Sequence, residues 1–284
     1  MKNRAASLRA RLLNLAKKEN IDFQLIITRF LHERLLYRLS LSNFSNQFIL
    51  KGGSFIYAIQ GIKTRPTLDI DLLGQQIPND LETLCATFRA ICRIKSDDEV
   101  LFYPESVEGE IISQRDNYNG VRLFLKSKFG TIWQRLQIDI GFGDVITPAS
   151  EELEYPVLLD DLQVPVIQAY SKETVIAEKF QAMIELSLAN SRMKDFYDVY
   201  MLLLAEDIDS KVLRDAIIAT FSNRQTFYTE NHALFTAEFV TNTQRQRNWA
   251  AFLRKINQAQ HLTFDVVMKL ISDKLLSYWE EVRK

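Results

Sequence analysis

The chain has 284 residues, 47% of them apolar and 25% charged, with a formal net charge of −1. That length buries one large core or two ordinary ones, and nine glycines with six prolines leave little room for a disordered linker. No apolar run approaches membrane-spanning length and Met1 opens no secretory pattern, so the expected location is cytoplasmic. The near-zero net charge conceals an asymmetry. Residues 1–65 carry twelve Lys/Arg against three Asp/Glu, residues 66–165 carry eight against eighteen, and the remainder fifteen of each. A basic N-terminal arm beside an acidic middle suits a polyanion-binding surface next to a cation-binding centre; the plainer reading is a helix that solvates its outer face with Arg and Lys.

Apolar residues recur at helical spacing up to about Ser40 (Leu12, Leu15, then Leu25, Ile26, Phe30), and "KENIDF" breaks this stretch into two helices. "QFILKGG" is a short strand into a tight turn. "SFIYAIQG" is a helix opened at Ser54, a residue type suited to N-capping, and closed by Gly61. "LDIDLL" alternates with period two and is a strand, with Leu68, Ile70 and Leu72 expected to point to the core. "IPND" starts a helix over Asn79–Cys92, whose two cysteines, Cys85 and Cys92, share a face as small core residues. "EVLFYPESV", "EIISQRDNYNGVRLFLKSKFG" and "WQRLQIDIGFGD" form strands of a meander turned at Asn119–Gly120 and near Gly130. A strand-and-loop connector follows, and from Lys172 onward the chain is helical. The expected fold class is α+β: a mixed sheet flanked by helices over residues 1–165, then a helical C-terminal domain over 166–284.

The chemistry concentrates in "FILKGGSFIYAIQGIKTRPTLDIDLL". On a strand, residues i and i+2 share a face, so Asp69 and Asp71 project together. Two adjacent carboxylates repel unless a cation neutralises them, and a hard divalent ion does so most economically. Asp139, between Ile138 and Ile140 in another apolar strand, is a third acid of the same kind. If the strands are neighbours, Asp69, Asp71 and Asp139 form a site for Mg²⁺ (or Mn²⁺). Gly52 and Gly53 let backbone N–H groups approach phosphate oxygens, and Ser54 adds a hydroxyl and the positive end of a helix dipole. Singly, each piece has a plain alternative: a turn, a solvated strand edge, a capped strand end. In this order they form the layout for nucleotidyl transfer from an NTP. His32, His232 and His261 are scattered, and "KGGS" lacks the spacing of a P-loop.

"GGS", "TLDIDLL" and the later "IDIG" together resemble the nucleotidyltransferase superfamily with the DNA-polymerase-β-like core. Fourteen residues separate Ser54 from Asp69, a spacing closer to the AbiEii/AbiGii toxin branch. Two later stretches resemble that branch as well. "ETVIAEKFQAM" matches its lysine motif at Lys179, and "SRMKDFYDVYML" matches an Arg-x-Lys-Asp-x-x-Asp motif at Arg192, Lys194, Asp195 and Asp198. The resemblance spans roughly Phe48 to Leu204. It implies catalytic roles for Asp69, Asp71, Asp139, Lys179 and Asp195, and nucleotide contacts from Gly52, Gly53, Ser54, Lys179, Arg192, Lys194 and Asp198. Without the family, Lys194 and Asp198 read as an ordinary i,i+4 surface ion pair, and Tyr197 and Tyr200 as core.

The resemblance further implies the toxin of a toxin–antitoxin or phage-defence pair, neutralised by a cognate antitoxin on a separate chain, with tRNA as acceptor. The basic N-terminal arm would suit RNA. Alternative expectations are nucleotide transfer onto a protein side chain or small molecule, and a binding module that has kept the fold and lost catalysis.

Overall fold

The computed structural model describes residues 4–114, 118–205, 207–257 and 261–283. The chain divides into two compact units: Met1–Gly143 with Glu151–Ala169, and Asp144–Ser150 with Tyr170–Lys284.

The first unit opens with the two expected helices, α1 (Arg4–Glu19) and α2 (Phe23–Ser40), the second capped by Asp22, which accepts from the Leu25 amide at 3.1 Å. Every residue of α2 from Ile26 to Leu36 is buried, so it is a core helix without a solvent face. That burial removes the α2 arginines from the basic arm expected from charge counting, and leaves its exposed cations on α1: Arg4, Arg9, Arg11, Lys17 and Lys18. Arg29, Arg34 and Arg38 are at most 2% exposed because partners inside the fold take their donors. Arg29 donates to the carbonyls of Ile62 and Thr64 at 2.5 and 3.1 Å, and Arg34 to that of Gln163 at 2.8 Å. Arg38 grips Asp98 with two bonds of 2.8 and 3.0 Å. Positive charge in α2 therefore fastens loops to the core.

Next come β1 (Phe48–Lys51), α3 (Gly52–Gln60), β2 (Asp69–Gly74), α4 (Leu81–Cys92), β3 (Val100–Phe102), β4 (Glu108–Gln114), β5 (Tyr118–Phe129), β6 (Ile132–Gly141), β7 (Glu151–Glu154) and β8 (Val166–Ala169). They build a mixed sheet in the order β3-β5-β6-β2-β1-β8-β7, with β4 also on β5. The β2–β6 and β1–β8 pairs are parallel and the others antiparallel. Leu50, Leu73, Leu123 and Ile138 are fully buried, and the Phe30 and Phe129 rings lie 4.9 Å apart where α2 meets the sheet. Cys85 and Cys92 are free and buried, as expected of core residues.

Three local expectations are corrected. Leu68 is 69% exposed, because β2 begins only at Asp69 and the preceding residue lies outside the ladder. "EVLFYPESV" keeps only three residues of strand, since Pro104 has no N–H for a ladder and opens a 3₁₀ turn, Pro104–Ser106. Asn119 and Gly120 are not a turn: they pair in register with Ser113 and Ile112 inside the β4–β5 ladder. The connection between those strands, residues 115–117, lies outside the described residues.

The second unit is helical: α5 (Lys172–Leu186), α6 (Met193–Leu203), α7 (Ser210–Asn223), α8 (Ala237–Thr241), α9 (Thr243–Lys255) and α10 (Phe264–Glu281). Its core is aromatic. Phe196 contacts Phe264 and Phe239 with ring centroids 5.3 and 6.1 Å away, and Phe264 in turn contacts Trp249 at 5.5 Å. Segment Asp144–Ser150 is tied into this unit by Arg224, which donates to Asp144 at 2.7 Å, and by Thr174, which donates to the Thr147 carbonyl at 2.8 Å. Among the described residues no helix is long and apolar enough to cross a membrane.

Removing Asp98 would strand the Arg38 guanidinium in the interior. Asp98→Ala is expected to cost about 3–5 kcal/mol of folding stability, read as a lowered urea midpoint.

Candidate active site

The parallel pairing of β2 with β6 sets Asp71 directly opposite Asp139 and Asp69 opposite Gln137. Partners in a ladder share a face, so both aspartates of β2 and the one of β6 converge on the same side. Asp69, Asp71 and Asp139 each present a carboxylate oxygen within 4.8 Å of the others, and all three are half-buried. Ile70, Leu72, Ile138 and Ile140, pointing the other way, are at most 1% exposed and anchor the two strands.

Each carboxylate is held by its own neighbours. Asp71 Oδ2 accepts from the Gly53 amide at 3.1 Å, at the first turn of α3. That approach requires glycine: Gly52 has φ +60°, and a Cβ built there would lie 2.1 Å from Asp71 Oδ2. Asp69 Oδ1 accepts from Thr67 Oγ1 at 2.9 Å. Asp139 receives both arms of Arg122, Nε to Oδ1 and a terminal nitrogen to Oδ2, each at 2.8 Å, with Gln137 Nε2 adding a bond of 3.1 Å. Behind them, burial pushes the imidazole of His32 down to about 4, partly opposed by the charge of Asp69.

Arg122 is the residue that sequence reading missed. The signal was present: a hairpin turned at Gly130 pairs Phe129 with Ile132, and counting back along both strands brings Arg122 opposite Asp139. A bidentate guanidinium–carboxylate pair is among the stronger side-chain contacts.

Helix α3 starts at Gly52, two residues before the expected Ser54 cap, and Lys51 supplies no side-chain cap. Ser54 is fully buried and its hydroxyl donates to the Asp69 carbonyl at 2.9 Å. The serine fastens α3 to β2, and the amides of the first turn are what this end of the helix offers to an anion.

In the helical unit the second group assembles on α5 and α6. Lys179 Nζ lies 2.7 Å from Asp195 Oδ1 and 2.8 Å from Asp198 Oδ2, with both acids 1% exposed. Arg192 Nε lies 2.6 Å from Asp195 Oδ2. Asp198 is therefore not half of a surface pair with Lys194. One helical turn carries it inward to Lys179, while Lys194 is exposed. Burial alone would push the Asp195 carboxyl up, but the charges of Lys179 and Arg192 outweigh it and hold the group below its ordinary range. Tyr197 is buried core, 5.7 Å from the Phe252 ring, and Tyr200 is half-buried.

Residues 34–270 match the family model of the nucleotidyl transferase AbiEii toxins of type IV toxin–antitoxin systems. The chain belongs to this family. The family is one of nucleotidyl transferase toxins of type IV toxin–antitoxin systems, and membership implies an antitoxin partner. Among curated proteins, none matches its sequence significantly. Of solved structures, an H. pylori protein provisionally described as a nucleotidyltransferase is similar over 92% of this chain and 97% of its own, at 10% identity and a TM-score of 0.51, which shows a shared fold. MenT4, a nucleotidyltransferase toxin from Mycobacterium tuberculosis H37Rv, aligns over 97% of this chain and 99% of its own at 15% identity and a TM-score of 0.49. JHP933 from Helicobacter pylori aligns over 92% and 94% at 11% identity and a TM-score of 0.49.

Two outcomes follow for this AbiEii chain. Gly52→Ala is expected to push the Asp71 carboxylate off the Gly53 amide and to lower stability by about 1–3 kcal/mol through a strained backbone; a crystal structure of the variant and its thermal midpoint check both. A carboxyl held below its unfolded value stabilises the fold above the unfolded pKa and loses that contribution as pH falls. Lys179→Met is therefore expected to cost about 3–5 kcal/mol near neutrality, with the deficit narrowing as pH falls below 3.8, the ordinary value of an aspartate such as Asp195. Urea unfolding across pH checks this.

Proposed function

We propose that this chain is a metal-dependent nucleotidyltransferase that moves an NMP from an NTP to an acceptor hydroxyl, with a tRNA as acceptor. The observation that carries the reading is the convergence of Asp69, Asp71 and Asp139 within 4.8 Å beside the glycine turn that opens α3. The donor set fits a hard divalent ion: three carboxylates of two adjacent strands, with oxygen ligands only. Mg²⁺ or Mn²⁺ held by Asp69, Asp71 and Asp139 would neutralise phosphate charge and acidify the acceptor hydroxyl.

The chain's own residues divide the remaining work. The first-turn amides of α3 and its dipole suit a triphosphate, and Gly52 and Gly53 leave room for Asp71 and Thr67 to pack against that turn. The Gly53–Asp71 bond fixes the turn against β2, and Ser54 does the same from beneath. Arg122 orients Asp139. By resemblance of the two later motifs, Lys179 and Asp195 serve the same activity, and Arg192, Lys194 and Asp198 its nucleotide. In the transfer the acceptor oxygen bonds to the α-phosphorus. The bond from that phosphorus to the bridging oxygen breaks, pyrophosphate leaves with the electron pair, and the hydroxyl proton passes to a base. Positioning and charge placement supply most of the acceleration. The tRNA acceptor and a role in phage defence rest on the family resemblance.

The test is incubation of purified chain with each α-labelled NTP, Mg²⁺ and total RNA, beside Asp71→Asn. Wild type is expected to label RNA and release pyrophosphate. The variant should be at least about 10³-fold slower with an unchanged circular dichroism spectrum, and chelation should abolish labelling. Label in protein with blank RNA would replace the tRNA acceptor, and label in neither would overturn transfer.

A further inference from the structure

The arginines of α2 are buried and offer no contact to an RNA acceptor, and the exposed cations of α1 have no aromatic residue on their own helix to serve as a platform. The β5–β6 hairpin supplies one. Its register pairs Arg122 with Asp139, Phe124 with Gln137, Lys126 with Arg135, and Lys128 with Trp133. Paired residues share a face, and so this whole row projects on the side of the sheet that carries the three aspartates. The alternate residues Val121, Leu123, Leu125, Leu136, Ile138 and Ile140 are at most 1% exposed, and α2 covers that opposite side through Thr28, which accepts from Gln134 at 2.7 Å.

The outward row sets Phe124 and Trp133 among the cations Arg122, Lys126, Lys128 and Arg135. Trp133 is 55% exposed and stacks on Tyr103 with centroids 5.0 Å apart and planes at 28°. Lys128 Nζ stands 5.1 Å from the Trp133 ring, and Arg135 lies over Phe124 at 3.6 Å. Besides the three aspartates, Glu108 and Glu110 share the face: Glu108 accepts from Arg135 at 2.9 Å, and Glu110 lies 3.9 Å from Arg122. Lys126, exposed on the same row, and Lys128 are the cations set towards an incoming polyanion.

We propose that this face is a docking track for single-stranded RNA, with Trp133 as a stacking platform and Lys126 and Lys128 as phosphate contacts, leading the acceptor end to Asp139. The inference rests on the reading of the site as a nucleotidyltransferase acting on RNA. From Trp133 to Asp139 the strand covers about 20 Å, enough for several nucleotides. Aromatic rings interleaved with cations suit bases and phosphates in alternation; a partner helix would call for a continuous apolar stripe, which lysines at 126 and 128 interrupt. The same face carries the carboxylates, so a strand bound along it needs no change of surface to reach them.

The experiment is fluorescence anisotropy of a labelled single-stranded RNA dodecamer titrated with the full chain, over a series of salt concentrations. Trp133→Ala is expected to weaken binding about tenfold with a native circular dichroism spectrum, the lost Tyr103 stack lowering the thermal midpoint only modestly. Lys126→Gln with Lys128→Gln is expected to reduce the slope of log K against log salt by about 1.4. If wild type binds the RNA and both variants match it in affinity and slope, the track is overturned and the transferase reading is untouched. If wild type shows no RNA binding, the track falls as well. Should the variants lose binding as expected while wild type labels no acceptor from any NTP, the track stands and the transferase reading falls.

Discussion

The parallel pairing of β2 with β6 is the constraint on which the candidate site depends. Asp71 and Asp139 are 68 residues apart in the chain, and only the sheet register makes them neighbours. A slip of one residue would turn the aspartates into the core and the isoleucines into solvent. The apolar alternation of both strands forbids that slip, because Ile70, Leu72, Ile138 and Ile140 have a buried side to fill. The hydrophobic pattern thus fixes the geometry of the acids, and crowding three carboxylates is tolerated because each is held by a donor: the Gly53 amide, the Thr67 hydroxyl and the Arg122 guanidinium.

The two groups of site residues are built on opposite electrostatic principles. In the sheet unit, three half-buried carboxylates converge with oxygen ligands only, one of them gripped by a bidentate arginine, a donor set that suits a hard divalent cation. In the helical unit, Lys179 lies between two acids that are 1% exposed, with Arg192 adding a second positive charge from the rim. That cluster is closer to internal neutrality, and its burial makes each member dependent on the others.

Much of this was legible in the sequence, and the failures have physical causes. Period-two patterning located β2 and β6, and the Asp-x-Asp spacing gave a shared face without any tertiary information. Glycine pairs announced the close approach at Gly52. Charge counting failed at α2, because composition cannot distinguish an arginine in water from one whose donors are taken by carbonyls of Ile62, Thr64 and Gln163. Ser54 misled for a related reason. A serine near a helix start resembles a cap, and only the register of β1 against β2 places it under Asp69. Arg122 needed the hairpin register, a property of two strands together.

The sheet closes late in the chain. Strand β1, at Phe48–Lys51, receives its parallel neighbour only when β8, at Val166–Ala169, exists, and between them the chain makes an excursion, Asp144–Ser150, that belongs to the helical unit. The two units are consequently interleaved along the polypeptide. Cutting at Tyr170 would not separate them cleanly, because the downstream fragment would lack the Asp144 carboxylate that Arg224 grips. On a ribosome, the strand that begins the glycine turn must wait more than a hundred residues for its last partner.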